Sequence, residues 1–246
     1  GAEVILIGNN PDGFNINQGC GSTHPELLQE EVVKHRADYG VALDGDGDRV
    51  ILVDSNGNIL DGDDLLYIMA FANPNRVGAW AGVVGTKMSN FGLEDGLNKL
   101  GYKFVRADVG DKYVSQKLSE KGWLLGGETS GHIISKDLVS TGDGTIAALK
   151  VISSLMILEK TPSEVLSNYN KRPQINIAVS VKNKDVINDS SIQSAISEAQ
   201  SDITVDRVLV RPSGTESKIR VMVEASDENT AKKYAKDLSQ LIESKL

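Results

Sequence analysis

Residues 44–49 read Asp44-Gly45-Asp46-Gly47-Asp48-Arg49. Apolar runs flank the hexapeptide, Tyr39 to Leu43 before it and Val50 to Val53 after it, so it reads as a loop between two strands. Three carboxylates at every second position converge on one point only if the backbone curls, and the glycines permit the backbone angles that a curl needs. Hard oxygen donors gathered this tightly suit Mg²⁺, Mn²⁺ or Ca²⁺. The plain alternative is an Asp-Gly hairpin turn with solvated charges. Three Asp with no Lys between them repel one another unless a cation sits among them, which favours the metal reading. An EF-hand is rejected. Asp44, Asp46 and Asp48 would fill its first three ligand positions, but Arg49 stands where Gly is required and Ser55 where a bidentate Glu is required, and a strand-like run follows in place of a helix.

The surrounding chain sets the class of protein. It has 246 residues, 40% hydrophobic and 24% charged, with ample material for a core and a length that suits between one and two domains, or more if they are small. With 26 basic against 34 acidic residues, the net charge of −8 argues against general nucleic-acid binding, and aromatics at 5% leave few platforms for stacking bases. Cys20 is the single cysteine and cannot form an internal disulfide, which fits a reducing, cytoplasmic compartment. No apolar run approaches the ~20 residues of a membrane span, and no signal peptide is seen. The chain lacks an initiator Met and enters an apolar run at Val4, so a fragment of a longer chain is expected.

Outward from the acidic loop, strand and helix patterns alternate. Strands are expected over 4–7, 39–43, 50–53, 82–85 and 103–107. Helices are expected over 27–35 (with Thr23 and Glu26 as a capping box), 63–72, 93–100, 113–121, 145–158 and 164–169. This alternation predicts parallel sheets with crossover helices. Pro162 and Pro173 mark a boundary. Beyond it, Ile175, Ile177, Val179 and Val181 alternate as a strand with one buried face. A helix over 191–200, strands over 207–210 and 218–225, and a final amphipathic helix capped by Ser226 or Asp227 complete a small α+β unit with helices on one sheet face. The fold class is therefore α/β: mixed, βα-alternating sheets followed by a small α+β C-terminal domain. The expected domains are 1–55, 56–172 and 173–246.

Two further loops carry chemistry. Gly126-Gly127-Glu128-Thr129-Ser130-Gly131-His132 is compact and offers donors and acceptors suited to sugar hydroxyls; a tight turn between strands is the equal alternative. Arg211-Pro212-Ser213-Gly214-Thr215-Glu216-Ser217 can form a backbone anion nest, with hydroxyls from Ser213 and Thr215 and guanidinium groups from Arg211 and, on the next strand, Arg220. Basic groups clustered in an acidic protein favour phosphate there over an incidental hairpin. Gly85-Thr86-Lys87 and Val109-Gly110-Asp111-Lys112 each follow a buried strand, where α/β ligand sites lie. Thr141-Gly142-Asp143-Gly144 reads as the cap of the long helix.

Taken together, the DGDGDR loop at Asp44, the GETSGH loop at Glu128 and the RPSGTE loop at Arg211 resemble, in order, the metal, sugar and phosphate loops of the α-D-phosphohexomutase superfamily. The stretches NINQGCGSTHPELLQ, GTKMSN, VGDKYV and TGDG look most like its bacterial phosphoglucosamine mutase branch. The resemblance covers the whole chain and implies the latter part of the family's second domain plus its third and fourth. The family's catalytic phosphoserine loop, in the first domain, has no counterpart here.

The resemblance implies an isomerase that interconverts glucosamine 6-phosphate and glucosamine 1-phosphate through a phosphoserine and a 1,6-bisphosphate. Asp44, Asp46 and Asp48 would hold Mg²⁺, and Arg49 would contact the reacting phosphate. Gly85, Thr86, Asp111, Lys112, Glu128, Ser130 and His132 would bind the sugar. Arg211, Ser213, Gly214, Thr215 and Arg220 would hold the phosphate that is not reacting. The implied partners are a phosphosugar and the N-terminal part of the same enzyme, with no nucleic acid and no membrane; a homodimer stays open. Phosphomannomutase or phosphoglucomutase activity, or a non-catalytic phosphosugar-binding module, are the alternatives.

Overall fold

A computed structural model describes every residue of the chain except Thr215 and Leu246. The backbone divides into two compact units, residues 1–89 with 93–170 and residues 90–92 with 171–246.

The first unit holds two sheets. β1 (Tyr39–Leu43), β2 (Val50–Asp54) and β3 (Ile59–Leu60) form an antiparallel meander in that order. The second sheet has the order β5-β4-β6-β7, from β4 (Gly82–Thr86), β5 (Lys103–Ala107), β6 (Leu125–Gly127) and β7 (Ile133–Ser135). β5, β4 and β6 are parallel, joined by α3 (Phe91–Lys99) and α4 (Asp111–Lys121), and β7 returns antiparallel beside β6. The predicted parallel sheet is thus found, but only here. The six-residue acidic loop is too short for a crossover, so β1 and β2 pair antiparallel.

α1 (Glu26–His35) packs on β1 and β2. α2 (Gly62–Ala72) and α5 (Gly144–Leu158) pack on each other, and α6 (Pro162–Leu166) packs on α2. Val50 and Leu52 from β2, Leu65, Leu66 and Ile68 from α2, and Val151 and Leu155 from α5 share one buried cluster. That cluster joins both sheets, and β3 pairs with β2 across a turn at residues 55–58.

Two local expectations are corrected. Residues 4–7 form no strand: Val4 is 71% and Leu6 67% exposed, and no described strand pairs with them. A strand without a partner keeps its backbone bonded to water and gains nothing from being extended. The Thr23–Glu26 capping box does not form either. The helix starts at Glu26 with Pro25 as its N-cap, because the residue before a proline is disfavoured from helical angles and Thr23 lies outside the first turn. Capping boxes do form between Asp61 and Asp64 on α2 and between Thr161 and Glu164 on α6, where Pro162 stands at the first helical position and restricts only the extended N-cap.

The second unit is β8 (Gln174–Ser180), α7 (Ser190–Ser201), β9 (Val205–Pro212), β10 (Lys218–Ala225) and α8 (Glu228–Glu243). Its sheet runs β8-β10-β9, antiparallel throughout. α8 packs on β8 and β10, and α7 on β9 and α8, as the sequence predicts. Ile219, Val221, Val223 and Ala225 on β10 alternate into the same buried cluster as Ala231, Ala235, Leu238 and Ile242 of α8. Asp227 is the cap of α8, accepting the Thr230 N–H at 2.9 Å.

Candidate active site

The acidic loop curls as its glycines allow. The Gly47 N–H donates to the Asp44 carbonyl at 3.3 Å, and the Arg49 N–H donates to Asp44 Oδ1 at 3.1 Å. The curl brings one oxygen each of Asp44, Asp46 and Asp48 within 4.8 Å of one another, with Asp46 exposed and the other two half-buried. Arg49 Nε stands 3.8 Å from Asp44 Oδ2 and 3.7 Å from Asp48 Oδ1, too far for hydrogen bonds. Asp48 Oδ1 is buried with no hydrogen-bond partner. Burial pushes the Asp48 carboxyl up, with Asp44 and Asp46 adding to the rise and His132 and Arg49 opposing it. A hard divalent cation would relieve this: it would coordinate the orphaned oxygen and offset two of the three negative charges. The donor set therefore fits Mg²⁺.

The 128–132 loop lies against the acidic loop. The Val50 N–H donates to the Gly131 carbonyl at 3.1 Å, and Arg49 and His132 form an isolated β-bridge. Gly131 has φ +95°, and a Cβ there would collide with the Val50 backbone, so glycine is required twice over. His132, expected among the sugar ligands, is buried and faces the acidic loop, its Nε2 3.5 Å from Asp48 Oδ2. Glu128 is nearly buried, and its Oε1 accepts the Gly110 N–H at 2.9 Å. That bond ties the 128–132 loop to the 109–112 loop. Ser130 is exposed.

Both loops sit where parallel strands end. β4, β5 and β6 lead at their carboxyl ends into residues 87–90, 108–112 and 128–132, the edge of an α/β sheet where ligands bind. Asp111 and Lys112 are exposed in the first turn of α4, and the Lys112 ammonium lies over the Tyr113 ring. Gly85 and Thr86 are buried and shape the loop: the Thr86 N–H donates to Ser89 Oγ at 3.0 Å, and Thr86 Oγ1 accepts the Met88 N–H at 3.2 Å. Arg106, which the sequence did not single out, donates to the Thr86 and Ser89 carbonyls and pairs with Glu94. Its signal in the sequence was only a charged residue between the apolar Val105 and Ala107 of a strand.

The third loop belongs to the second unit. Arg211 is the last residue but one of β9, and Arg220 lies on β10. Arg211 Nε is buried without a hydrogen-bond partner, and Arg220 is half-exposed and bonded to Glu216 at 2.6 Å. The buried Ser213 donates its N–H to the Lys218 carbonyl at 2.8 Å, and its hydroxyl accepts the Glu216 N–H at 3.3 Å. That hydroxyl keeps a proton to donate. Lys184 Nζ donates to the Ser213 carbonyl at 2.6 Å, a further cation at the loop that sequence spacing gave no reason to include. Gly214 is exposed at the tip; Thr215 lies outside the described residues.

A family profile described as phosphoglucomutase/phosphomannomutase, alpha/beta/alpha domain III, matches residues 61–172, and one described as the C-terminal domain of the same family matches residues 175–241. The chain belongs to the phosphoglucomutase/phosphomannomutase family. Its similar curated relatives include the phosphoglucosamine mutase of Cellvibrio japonicus, 48% identical over 248 residues, an alignment that takes in 100% of this chain and 56% of that protein. The phosphoglucosamine mutase of Legionella pneumophila is 47% identical over 253 residues, covering 98% and 54%. The chain thus spans about half the length of the curated relatives it matches. Among solved structures it resembles Aspergillus fumigatus N-acetylphosphoglucosamine mutase in complex with GlcNAc-6P and magnesium. The TM-score is 0.74 at 22% identity, over 92% of this chain and 57% of that one. A phosphoglucomutase/phosphomannomutase family protein from Burkholderia thailandensis gives a TM-score of 0.69 at 22% identity, over 91% and 51%. At that identity the likeness speaks for the fold alone. No helix among the described residues is long and apolar enough to cross a membrane.

Proposed function

We propose that this chain is the metal-, sugar- and phosphate-binding part of a phosphoglucosamine mutase, an isomerase that interconverts glucosamine 6-phosphate and glucosamine 1-phosphate. The observation that carries the reading is the strapping of the DGDGDR loop to the GETSGH loop at one sheet edge, in a chain 44–48% identical to phosphoglucosamine mutases. In this reading residues 1–55 are the latter part of one family domain, 56–172 a second and 173–246 a third. The phosphoserine that donates the phosphoryl group comes from sequence outside residues 1–246, and the protein works in the cytoplasm.

Asp44, Asp46 and Asp48 would hold Mg²⁺, which supplies charge neutralisation at the phosphoryl group being transferred. Arg49, half-exposed beside two of those carboxylates, offers its guanidinium to the same phosphate. Glu128 uses one oxygen to hold Gly110, and its other is left to accept from a sugar hydroxyl, with Ser130 exposed two residues on. Asp111 and Lys112, in the first turn of α4, face solvent and would turn to the sugar, whereas Gly85 and Thr86 contribute by shaping their loop. Arg211, Ser213, Gly214, Thr215 and Arg220 bind the phosphate that is not reacting. Because phosphoryl transfer relies on positioning and charge, these groups need only hold the sugar in two orientations.

Calorimetric titration of the chain with glucosamine 6-phosphate, glucose 6-phosphate and mannose 6-phosphate in Mg²⁺ tests the reading. Tightest binding of the amino sugar is expected. Preference for mannose 6-phosphate would reassign the chain to phosphomannomutase, and no binding of any of the three would reject a phosphosugar site.

A further inference from the structure

The Thr141-Gly142-Asp143-Gly144 turn starts α5, and Asp143 does the capping by accepting the Ile146 N–H at 2.9 Å. Capping explains Asp143 but not the glycines on either side. Neither Gly142 nor Gly144 has the positive φ that would demand glycine. Both are instead pressed against the acidic site. A Cβ on Gly142 would fall inside the imidazole of His132, 2.6 Å from Cδ2. A Cβ on Gly144 would lie 2.7 Å from the Arg49 carbonyl oxygen, closer than side-chain carbons come. The Gly144 N–H also donates to the Gly47 carbonyl, at the tip of the acidic loop, at 2.9 Å. Gly142 itself forms an isolated β-bridge with Ile134, two residues beyond His132.

His132 gives this packing its meaning. Its Nε2 faces Asp48 Oδ2 at 3.5 Å, while its Nδ1 is buried without a hydrogen-bond partner. An imidazole that orients a metal-site group is ordinarily held by a hydrogen bond at its other nitrogen. Here no such bond exists, and the ring's position is set by what it packs against. We propose that Gly142 and Gly144 are positioning residues for the acidic loop: Gly142 seats the His132 ring against Asp48, and Gly144 holds the loop tip, so that three carboxylates are preset for one divalent cation. This rests on reading the acidic loop as a cation site.

The test is Mn²⁺ binding to the whole chain, followed by calorimetry and by loss of the free-ion electron paramagnetic resonance signal, with thermal unfolding measured alongside. Gly142→Ala is expected to weaken Mn²⁺ binding about 10–100-fold, the range for groups behind metal ligands. The same change made in a His132→Ala background is expected to add nothing, since the ring it displaces is gone. Gly122→Ala is the control: at φ +66° with no atom within 4 Å of its Cβ, it strains a distant turn and is expected to lower stability and leave Mn²⁺ affinity unchanged. Wild-type affinity in folded Gly142→Ala overturns the proposal and leaves the cation reading standing. If Gly142→Ala does not fold, Gly144→Ala asks the same question through Arg49 and Gly47, and unchanged affinity there overturns it equally. Absence of saturable Mn²⁺ binding in the wild-type chain would reject the cation reading itself.

Discussion

Arg211 on β9 and Arg220 on β10 stand directly opposite each other in the antiparallel register. Like charges in that position destabilise a sheet, by roughly 0.2–1 kcal/mol on the scale of cross-strand pairs. Glu216 offsets part of this by bonding Arg220, and Lys218 and Arg220 in turn hold the Glu216 carboxyl below its usual range. Arg211 receives no such partner at Nε. Two guanidinium groups set face to face, one with an unpartnered Nε, fit the anion site proposed above.

Replacing Arg211 with Met separates stability from binding. The metal-free, ligand-free chain is expected to be as stable as the wild type or slightly more so, read as the urea midpoint. Affinity for glucosamine 6-phosphate is expected to fall by roughly 1.5–3 kcal/mol, the range for a hydrogen bond to a charged group, while affinity for unphosphorylated glucosamine barely changes. Equal losses for the two ligands would remove the phosphate role.

Asp46→Asn removes one of three clustered carboxylates at an exposed position. Mn²⁺ affinity is expected to fall at least tenfold. The urea midpoint in EDTA is expected to hold or rise, because the loss relieves repulsion and no described hydrogen bond uses that side chain. A variant that binds Mn²⁺ as well as the wild type would show that the cation, if any, is held elsewhere.

Residues 1–246 alone are expected to show no steady mutase turnover with Mg²⁺ and glucose 1,6-bisphosphate, because the proposed mechanism takes its phosphoryl donor from outside this sequence. A coupled assay that follows glucosamine 1-phosphate decides it. Sustained turnover would require a nucleophile among the residues in hand and would set aside the phosphoserine mechanism.

Acid stability offers a check on the second unit. The Thr204 hydroxyl, the Tyr234 phenol and the Thr204 N–H donate to Asp202 and hold its pKa at about 2, against 3.8 for an ordinary Asp. The folded state therefore keeps Asp202 ionised where the unfolded state has taken up a proton, so stability rises with pH across that interval. The contribution is fully present above the unfolded value and is lost as pH falls from 3.8 towards 2. In Tyr234→Phe the carboxyl loses one donor, and its titration, followed by carboxyl carbon-13 shifts, is expected to move up towards 3.8. An unmoved titration would mean that the phenol does not hold Asp202 in solution.

Residue order alone made much of this protein legible. Local periodicity placed the strands over 103–107 and 218–225 where the structure has them, and it found most helices to within a few residues, because burial of one face is written in the spacing of apolar side chains. It failed where a segment depends on something distant. Residues 4–7 have the composition of a strand and no partner, and Pro25 overrode the Thr23–Glu26 signal. The acidic loop stood out in the sequence by its three alternating Asp residues, and the fold brings one oxygen of each within 4.8 Å of the others.

The tertiary structure decided what the loops do to one another. His132 and Asp48 lie 84 positions apart in the chain, and nothing local to either says that they meet. Gly142 and Gly144 read as a helix start because a close approach has no sequence signature except the absence of a side chain. The sequence put Arg211 in the 211–217 loop and Arg220 on the strand after it, and only the antiparallel register sets them face to face. Sequence fixes which groups a chain owns and which short segments take helical or extended form. Which groups share one site depends on long-range packing, where many small contacts between distant segments choose the partner of each loop.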